Sequence, residues 1–94
     1  MKTMYKVIFT NQFKHAVKRC AKRGLDVSKI AVIVDILKAE GSLPQQYRPH
    51  KLTGFKGDNT WECHIQPDWL LVWEQNDTQL TLLMLNTGTH SDLF

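Results

Sequence analysis

The stretch from Trp61 to Trp73 constrains the fold of this chain more than any other. Trp61, Cys63 and Ile65 alternate with Glu62 and His64, the period of two that a strand shows when one face is buried and the other is wet. That pattern puts Glu62 and His64 on the wet face. Pro67 has no N–H to give to a ladder, so the strand stops there. Asp68 then falls in the turn before a second, wholly apolar strand from Trp69 to Trp73. A histidine and a carboxylate are thereby brought to one end of a sheet.

The rest of the chain supplies what that sheet needs. Tyr5, Val7 and Phe9 read as a short strand leading into a helix that Thr10 or Asn11 can cap. Its apolar positions Phe13, Ala16, Val17 and Cys20 fall at i, i+3, i+4 and i+7, and Gly24 stops it. Asp26 or Ser28 can cap a second helix, on which Ile30, Ile33, Val34 and Leu37 keep helical period until Gly41. The segment from Ser42 to His50 contains Pro44 and Pro49 but also Leu43 and Tyr47, so an ordered surface loop is expected.

Lys51-Leu52 is too short to assign as a strand, and Gly54, Gly57, Asp58 and Asn59 give a turn. After Trp73, Asn76 and Asp77 make another turn. Leu80 to Leu85 form the last strand, and the tail from Thr87 to Phe94 leaves the sheet. The last two strands are apolar on both faces and belong at the sheet centre, with helices over one surface. The expected class is α+β: an N-terminal strand, a two-helix hairpin, then an antiparallel sheet, in one domain spanning 1–94.

Composition agrees with a single packed core and argues against disorder, since 43% of the 94 residues are hydrophobic and 22% charged. Cys20 and Cys63 both fall on apolar faces without a C-x-x-C or Cys/His ligand spacing, which reads as two buried thiols in a reducing cytoplasm. No stretch is long enough for a signal-peptide core or a membrane span, so no membrane partner is expected.

The net charge of +3 is unevenly spread. Eight of the twelve basic residues precede Ile30, where Asp26 is the only acid. The first helix carries two rows at i, i+4, i+8: Lys14, Lys18, Lys22 and His15, Arg19, Arg23. Like charges at this spacing repel by a few tenths of a kcal/mol per pair, so helix formation does not ask for them. They are either a solvated face or a surface for a polyanion, with nucleic acid the first candidate.

His50, His64 and His90 each stand at the end or on the wet face of an element, and Asp68 lies in the turn beside one of them. Histidine gives and takes protons near neutral pH, and positioned acid–base groups are worth roughly 100- to 10,000-fold in rate. Two such groups suffice to cleave RNA without metal or cofactor. One takes the proton of a ribose 2′-OH as that oxygen attacks the adjacent phosphorus, and the other protonates the leaving 5′-oxygen. Arg48, Lys51 and Lys56 are nearby cations suited to the charge that develops on phosphorus. Trp69, from its apolar run alone, reads as core.

Glu62-Cys63-His64-Ile65 with Pro67-Asp68 and Leu70-Leu71, the earlier His50-Lys51-Leu52 and Gly54, and the terminal His90-Ser91-Asp92-Leu93-Phe94 together carry a resemblance. Over essentially its whole length the chain resembles the YafQ branch of the RelE/ParE superfamily, ribosome-dependent mRNA interferases of bacterial type II toxin–antitoxin systems. The resemblance implies a RelE-like small domain that enters the A site of the 70S ribosome, cleaves the bound mRNA and is held inactive by a cognate antitoxin. It implies catalytic roles for His50, His64, Asp68 and His90, and places Trp69 and Phe94 at the RNA site. On that reading His50 or Asp68 is the base, His90 the acid, and His64 holds the phosphate. Lys14, Lys18, Arg19, Lys22 and Arg23 then become the surface that meets 16S rRNA.

Two other readings remain open on the residues alone. One is a non-catalytic module of the RelE/ParE kind that binds RNA or a protein target through the basic helix. The other is a metal hydrolase built on His50, His64, His90 and Asp68, although no compact ligand spacing such as His-x-x-x-His occurs.

Overall fold

In a computed structural model that describes residues 4–52 and 59–94, the elements run β1 (Lys6–Phe9), α1 (Asn11–Lys22), α2 (Ser28–Glu40), β2 (His50–Lys51), β3 (Thr60–Gln66), β4 (Trp69–Asn76), β5 (Thr81–Gly88) and α3 (His90–Leu93), with a 3₁₀ turn at Gln45–Tyr47. Lys56 and the expected turn glycines Gly54 and Gly57, with Asp58, lie outside the described residues. The five strands form one sheet in the order β1-β5-β4-β3-β2. β1 pairs with β5 in parallel and every other pair is antiparallel. β4 is therefore the central strand, with β5 beside it.

Local chemistry sets the helix ends. Thr10 is extended, and its hydroxyl accepts the Phe13 N–H at 3.1 Å while donating to the Met84 carbonyl at 2.8 Å. The cap of α1 is thus also a tether to β5, and removing such a cap costs about 1 kcal/mol. At α2 the N-cap position falls on Val27, with no side-chain cap, rather than on Asp26 or Ser28; just ahead of it the Asp26 carboxylate accepts from the backbone N–H of Ser28 at 3.1 Å and from its hydroxyl at 2.5 Å. Those bonds hold the Asp26 carboxyl below its ordinary range. Gly41 closes α2 at φ +68°, and a Cβ there would lie 2.7 Å from the Tyr5 ring, so both backbone angle and space demand glycine.

One face of the sheet carries the core. Cys63, Trp69, Leu71, Trp73, Leu82 and Met84 pack against Phe13, Cys20, Ile30, Ile33, Val34 and Leu37 from the helices, and Leu43 closes the layer from the loop. Burying each large side chain contributes roughly 1.5–3 kcal/mol. Both cysteines are buried and free, and burial pushes the Cys63 thiol up to about 12.

The strands run further than the apolar runs suggested. β4 continues to Asn76 because Gln75 is buried yet fully bonded: its Oε1 accepts from the Trp73 indole at 3.0 Å, and its amide donates to the Gly41 carbonyl and to Asp77, both at 2.8 Å. β5 begins after Leu80, which sits in the turn at φ +54°, and extends to Gly88. Thr87 does not leave the sheet as expected, because its hydroxyl donates to the Leu70 carbonyl at 2.7 Å and accepts the Trp69 indole N–H at 2.9 Å. Where the sequence offers a loop ending on His50 and a Lys51-Leu52 too short to assign, His50–Lys51 pairs with Glu62 and Trp61 as the edge strand β2.

Candidate active site

The β3–β4 hairpin builds one half of the site. Its register skips Ile65, so His64 stands opposite Leu70 and Gln66 opposite Trp69, an extra-residue bulge that bends the strand beside His64. His64 Nδ1 lies 3.2 Å from the Pro67 carbonyl. A carbonyl only accepts, so Nδ1 carries the proton, and in the neutral ring the lone pair is on Nε2. No partner for that Nε2 occurs among the described residues.

The C-terminal segment builds the other half. Asp68, in the hairpin turn, accepts at Oδ1 from the backbone N–H of His90 at 3.1 Å and faces His90 Nδ1 at 2.7 Å. The His90 contacts, led by the ring hydrogen bond, hold the Asp68 carboxyl below its ordinary range. The His64 and His90 rings lie 5.9 Å apart between centroids, inclined at 52°. The His90 and Asp68 side chains are 56% and 68% exposed, so a substrate reaches them without any opening of the core.

His90 owes its place to α3, whose N-cap Thr89 forms a reciprocal box with Asp92. The Thr89 hydroxyl accepts the Asp92 N–H at 3.2 Å, and the Asp92 carboxylate accepts the Thr89 N–H at 2.9 Å. The Thr-x-x-Asp spacing is the sequence signal for this helix, within the segment expected only as a tail bearing His90.

His50 stands apart from this pair. It lies opposite Glu62 on the same face as His64, a diagonal for which side chains are about 7–8 Å apart in an antiparallel sheet. Its Nε2 is 3.2 Å from Glu62 Oε1 and its Nδ1 is 3.2 Å from the Arg48 carbonyl. Both neighbours are acceptors, so satisfying both contacts requires a proton on each ring nitrogen. Glu62 itself corrects the alternation reading. Its side chain is only 6% exposed under the edge strand, and its Oε2 has no hydrogen-bond partner among the described residues.

The expected RNA contacts divide. Arg48, held at φ +48°, lines a cleft of about 290 Å³ with His64, Gln46, Gln66 and Pro67. Phe94 is 64% exposed and, with Leu93, borders a second cleft along Thr60, Val72 and Glu74. Trp69 offers no surface to a ligand, being 1% exposed with its indole on Thr87. Lys51 does not join the histidines either, since its ammonium lies 5.9 Å from the Trp61 ring centroid, on the other side of β2 from His50.

On α1, Lys14, Lys18 and Lys22 are exposed. Arg19 and Arg23 turn toward the C-terminal segment: Arg19 donates to the Thr87 carbonyl at 3.3 Å, and Arg23 makes two bonds to Asp92. Among the described residues no three His, Cys, Asp or Glu side chains converge as a metal site would require.

Comparison with known proteins places this geometry. Residues 5–94 match the family described as bacterial toxin of type II toxin–antitoxin system, YafQ. The mRNA interferase toxin YafQ of Escherichia coli (strain B / BL21-DE3) is 33% identical over 88 residues, covering 92% of this chain and 91% of that protein. The crystal structure of the E. coli DinJ–YafQ complex superposes with a TM-score of 0.87 at 30% identity, covering 96% of this chain and 98% of the matched one. A metal-bound toxin from Helicobacter pylori superposes with a TM-score of 0.86 at 33% identity, covering 97% and 100%. The chain belongs to the YafQ family of type II toxin–antitoxin toxins.

Proposed function

We propose that this chain is an endoribonuclease that cleaves mRNA in the ribosomal A site by acid–base catalysis, stops translation, and is silenced by a cognate antitoxin. The observation that carries the reading is the Asp68–His90 pair set beside His64, three solvent-reachable groups on one sheet end. The enzyme activity is supported by the name of the E. coli relative, and the antitoxin by the DinJ–YafQ complex.

In the proposed reaction His64 Nε2 takes the 2′-OH proton. The 2′-oxygen attacks phosphorus, and the bond to the 5′-oxygen breaks as His90, protonated on both nitrogens, delivers its Nε2 proton to that oxygen. The products are a 2′,3′-cyclic phosphate and a 5′-hydroxyl. Asp68 orients the His90 ring and stabilises its cation, the part a carboxylate plays behind a catalytic histidine. Its two bonds to His90 favour that role over one as an independent base. Arg48, which lines the cleft beside His64, is suited to stabilising charge on the phosphorane, whereas His50, with both ring nitrogens facing acceptors, acts on the site only by holding Glu62.

Lys14, Lys18 and Lys22 are exposed on the row of α1 turned away from Thr87 and Asp92, and would meet 16S rRNA phosphates. Primer-extension mapping of transcripts after induced expression tests the reading. Cleavage inside coding regions with the active chain and none with His90→Ala is the expected result. Intact transcripts during growth arrest would favour a non-catalytic interaction module instead.

A further inference from the structure

α3 is a four-residue helix, far below the length at which a helix holds itself together. Its place must come from contacts outside it, and two charged side chains provide the strongest. Arg23, at the end of α1, sets Nη1 2.5 Å from Asp92 Oδ2 and Nη2 3.2 Å from Asp92 Oδ1. Such a two-pronged pair fixes orientation as well as distance. The Asp92 side chain is only 15% exposed, and the same carboxylate accepts the Thr89 N–H. Gly88 makes room for it, since a Cβ at that position would lie 2.7 Å from Asp92 Oδ2. Arg19 adds a bond to the Thr87 carbonyl one residue earlier.

We propose that Arg23 and Asp92 are positioning residues for His90: the clamp between α1 and α3 holds the histidine in register with Asp68 and His64. The inference rests on the reading of His90 as the acid, and it takes Arg23 out of the row that meets ribosomal phosphate. Asp92 takes two of the five N–H donors of this guanidinium and offsets its charge, so Arg23 offers a phosphate less attraction than an unpaired cation would. The Asp92 carboxyl supports the pairing, being held well below its ordinary range chiefly by the Arg23 hydrogen bonds. Lys14, Lys18 and Lys22 lie on the other row of the same helix and keep their charges free of this pair.

The test is single-turnover cleavage of a short mRNA on 70S ribosomes by the whole chain and by Arg23→Ala, Asp92→Ala, the double variant and His90→Ala. Displacement of a catalytic group by about 1 Å costs up to roughly 100-fold, so each single variant is expected to lose about ten- to 100-fold in maximal rate, with half-saturating ribosome concentration changed by less than about twofold. The double variant is expected to be no worse than the poorer single one, because both remove the same contact. Amide exchange of Thr89 to Leu93 should accelerate in Arg23→Ala while the β4 amides stay protected.

A rise in half-saturating ribosome concentration for Arg23→Ala with an unchanged maximal rate would overturn the proposal and return Arg23 to the ribosome surface. So would unaltered α3 exchange, or a fully active Asp92→Ala alongside an inactive His90→Ala. A fully active His90→Ala would instead remove the acid assignment, and the clamp's catalytic role with it.

Discussion

Asp68 Oδ1 takes two hydrogen bonds from His90, one from the ring at 2.7 Å and one from the backbone at 3.1 Å, although the residues are 22 apart in sequence. The backbone bond fixes where the residue sits and the ring bond fixes which nitrogen faces out. Replacing Asp68 by Asn keeps an acceptor but removes the charge that favours the imidazolium. The expected outcome is a fall in cleavage rate of roughly 100- to 1,000-fold, within the range for positioned acid–base catalysis, with little change in melting temperature. Measuring rate and melting on the same preparation checks it.

The same pair and the Arg23–Asp92 pair predict how the tail responds to acid. Asp68 and Asp92 both have folded-state affinities for protons below the ordinary aspartate range. Depressed carboxylates contribute stability that is present above their unfolded value, about 3.9, and is lost as pH falls through the folded value. α3 should therefore stay docked at about pH 5 and detach only below about pH 4, read from the amide shifts of Thr89 and His90. Detachment near neutrality would show that these carboxylates do not hold it.

Much of the fold could be read from the chain because its elements carry their own periods. The i, i+3, i+4 spacing of α1 and α2 and the Pro67-Asp68 break needed no tertiary information. What the sequence hid was set by partners elsewhere. Alternation made Glu62 a wet-face residue, but β2 pairs alongside it and buries it under His50. Thr87 and Gln75 looked like strand-ending polar residues, and each stays in the sheet because a tryptophan indole and a backbone carbonyl satisfy it. Arg19 and Arg23 are indistinguishable in sequence from their lysine neighbours, and only the end of β5 against Arg19 and α3 against Arg23 set them apart.

Thr87 gives a stability prediction. Valine keeps its shape but leaves the Trp69 indole N–H and the Leu70 carbonyl without their buried partner. Leaving a buried polar group unpaired costs about 1–3 kcal/mol, so Thr87→Val should lower stability by that order or slightly more. Urea unfolding with an unchanged slope would confirm it, and an unchanged midpoint would contradict it.

Phe94 separates packing from function. It is 64% exposed at the end of α3, beyond the core that closes at Met84. Phe94→Ala should leave the melting temperature within about 2 °C, which is less than 1 kcal/mol for a domain of this size. If the ring stacks on a base, the substitution should weaken cleavage by the equivalent of about 1–3 kcal/mol. A destabilised protein would instead assign the ring to packing.

The division of labour between His64 and His90 is tested most directly by changing the leaving group. An mRNA with sulfur in place of the 5′-oxygen at the cleaved bond leaves without needing a proton, so it removes the task assigned to His90 and keeps the one assigned to His64. The comparison is single-turnover cleavage of the oxygen and sulfur substrates on 70S ribosomes by the unaltered chain, His64→Ala and His90→Ala. The account predicts that His90→Ala, nearly inactive on oxygen, recovers most of the rate on sulfur, while His64→Ala stays slow on both. A His90→Ala variant equally inactive on both substrates, or a His64→Ala variant that the sulfur rescues, would contradict it.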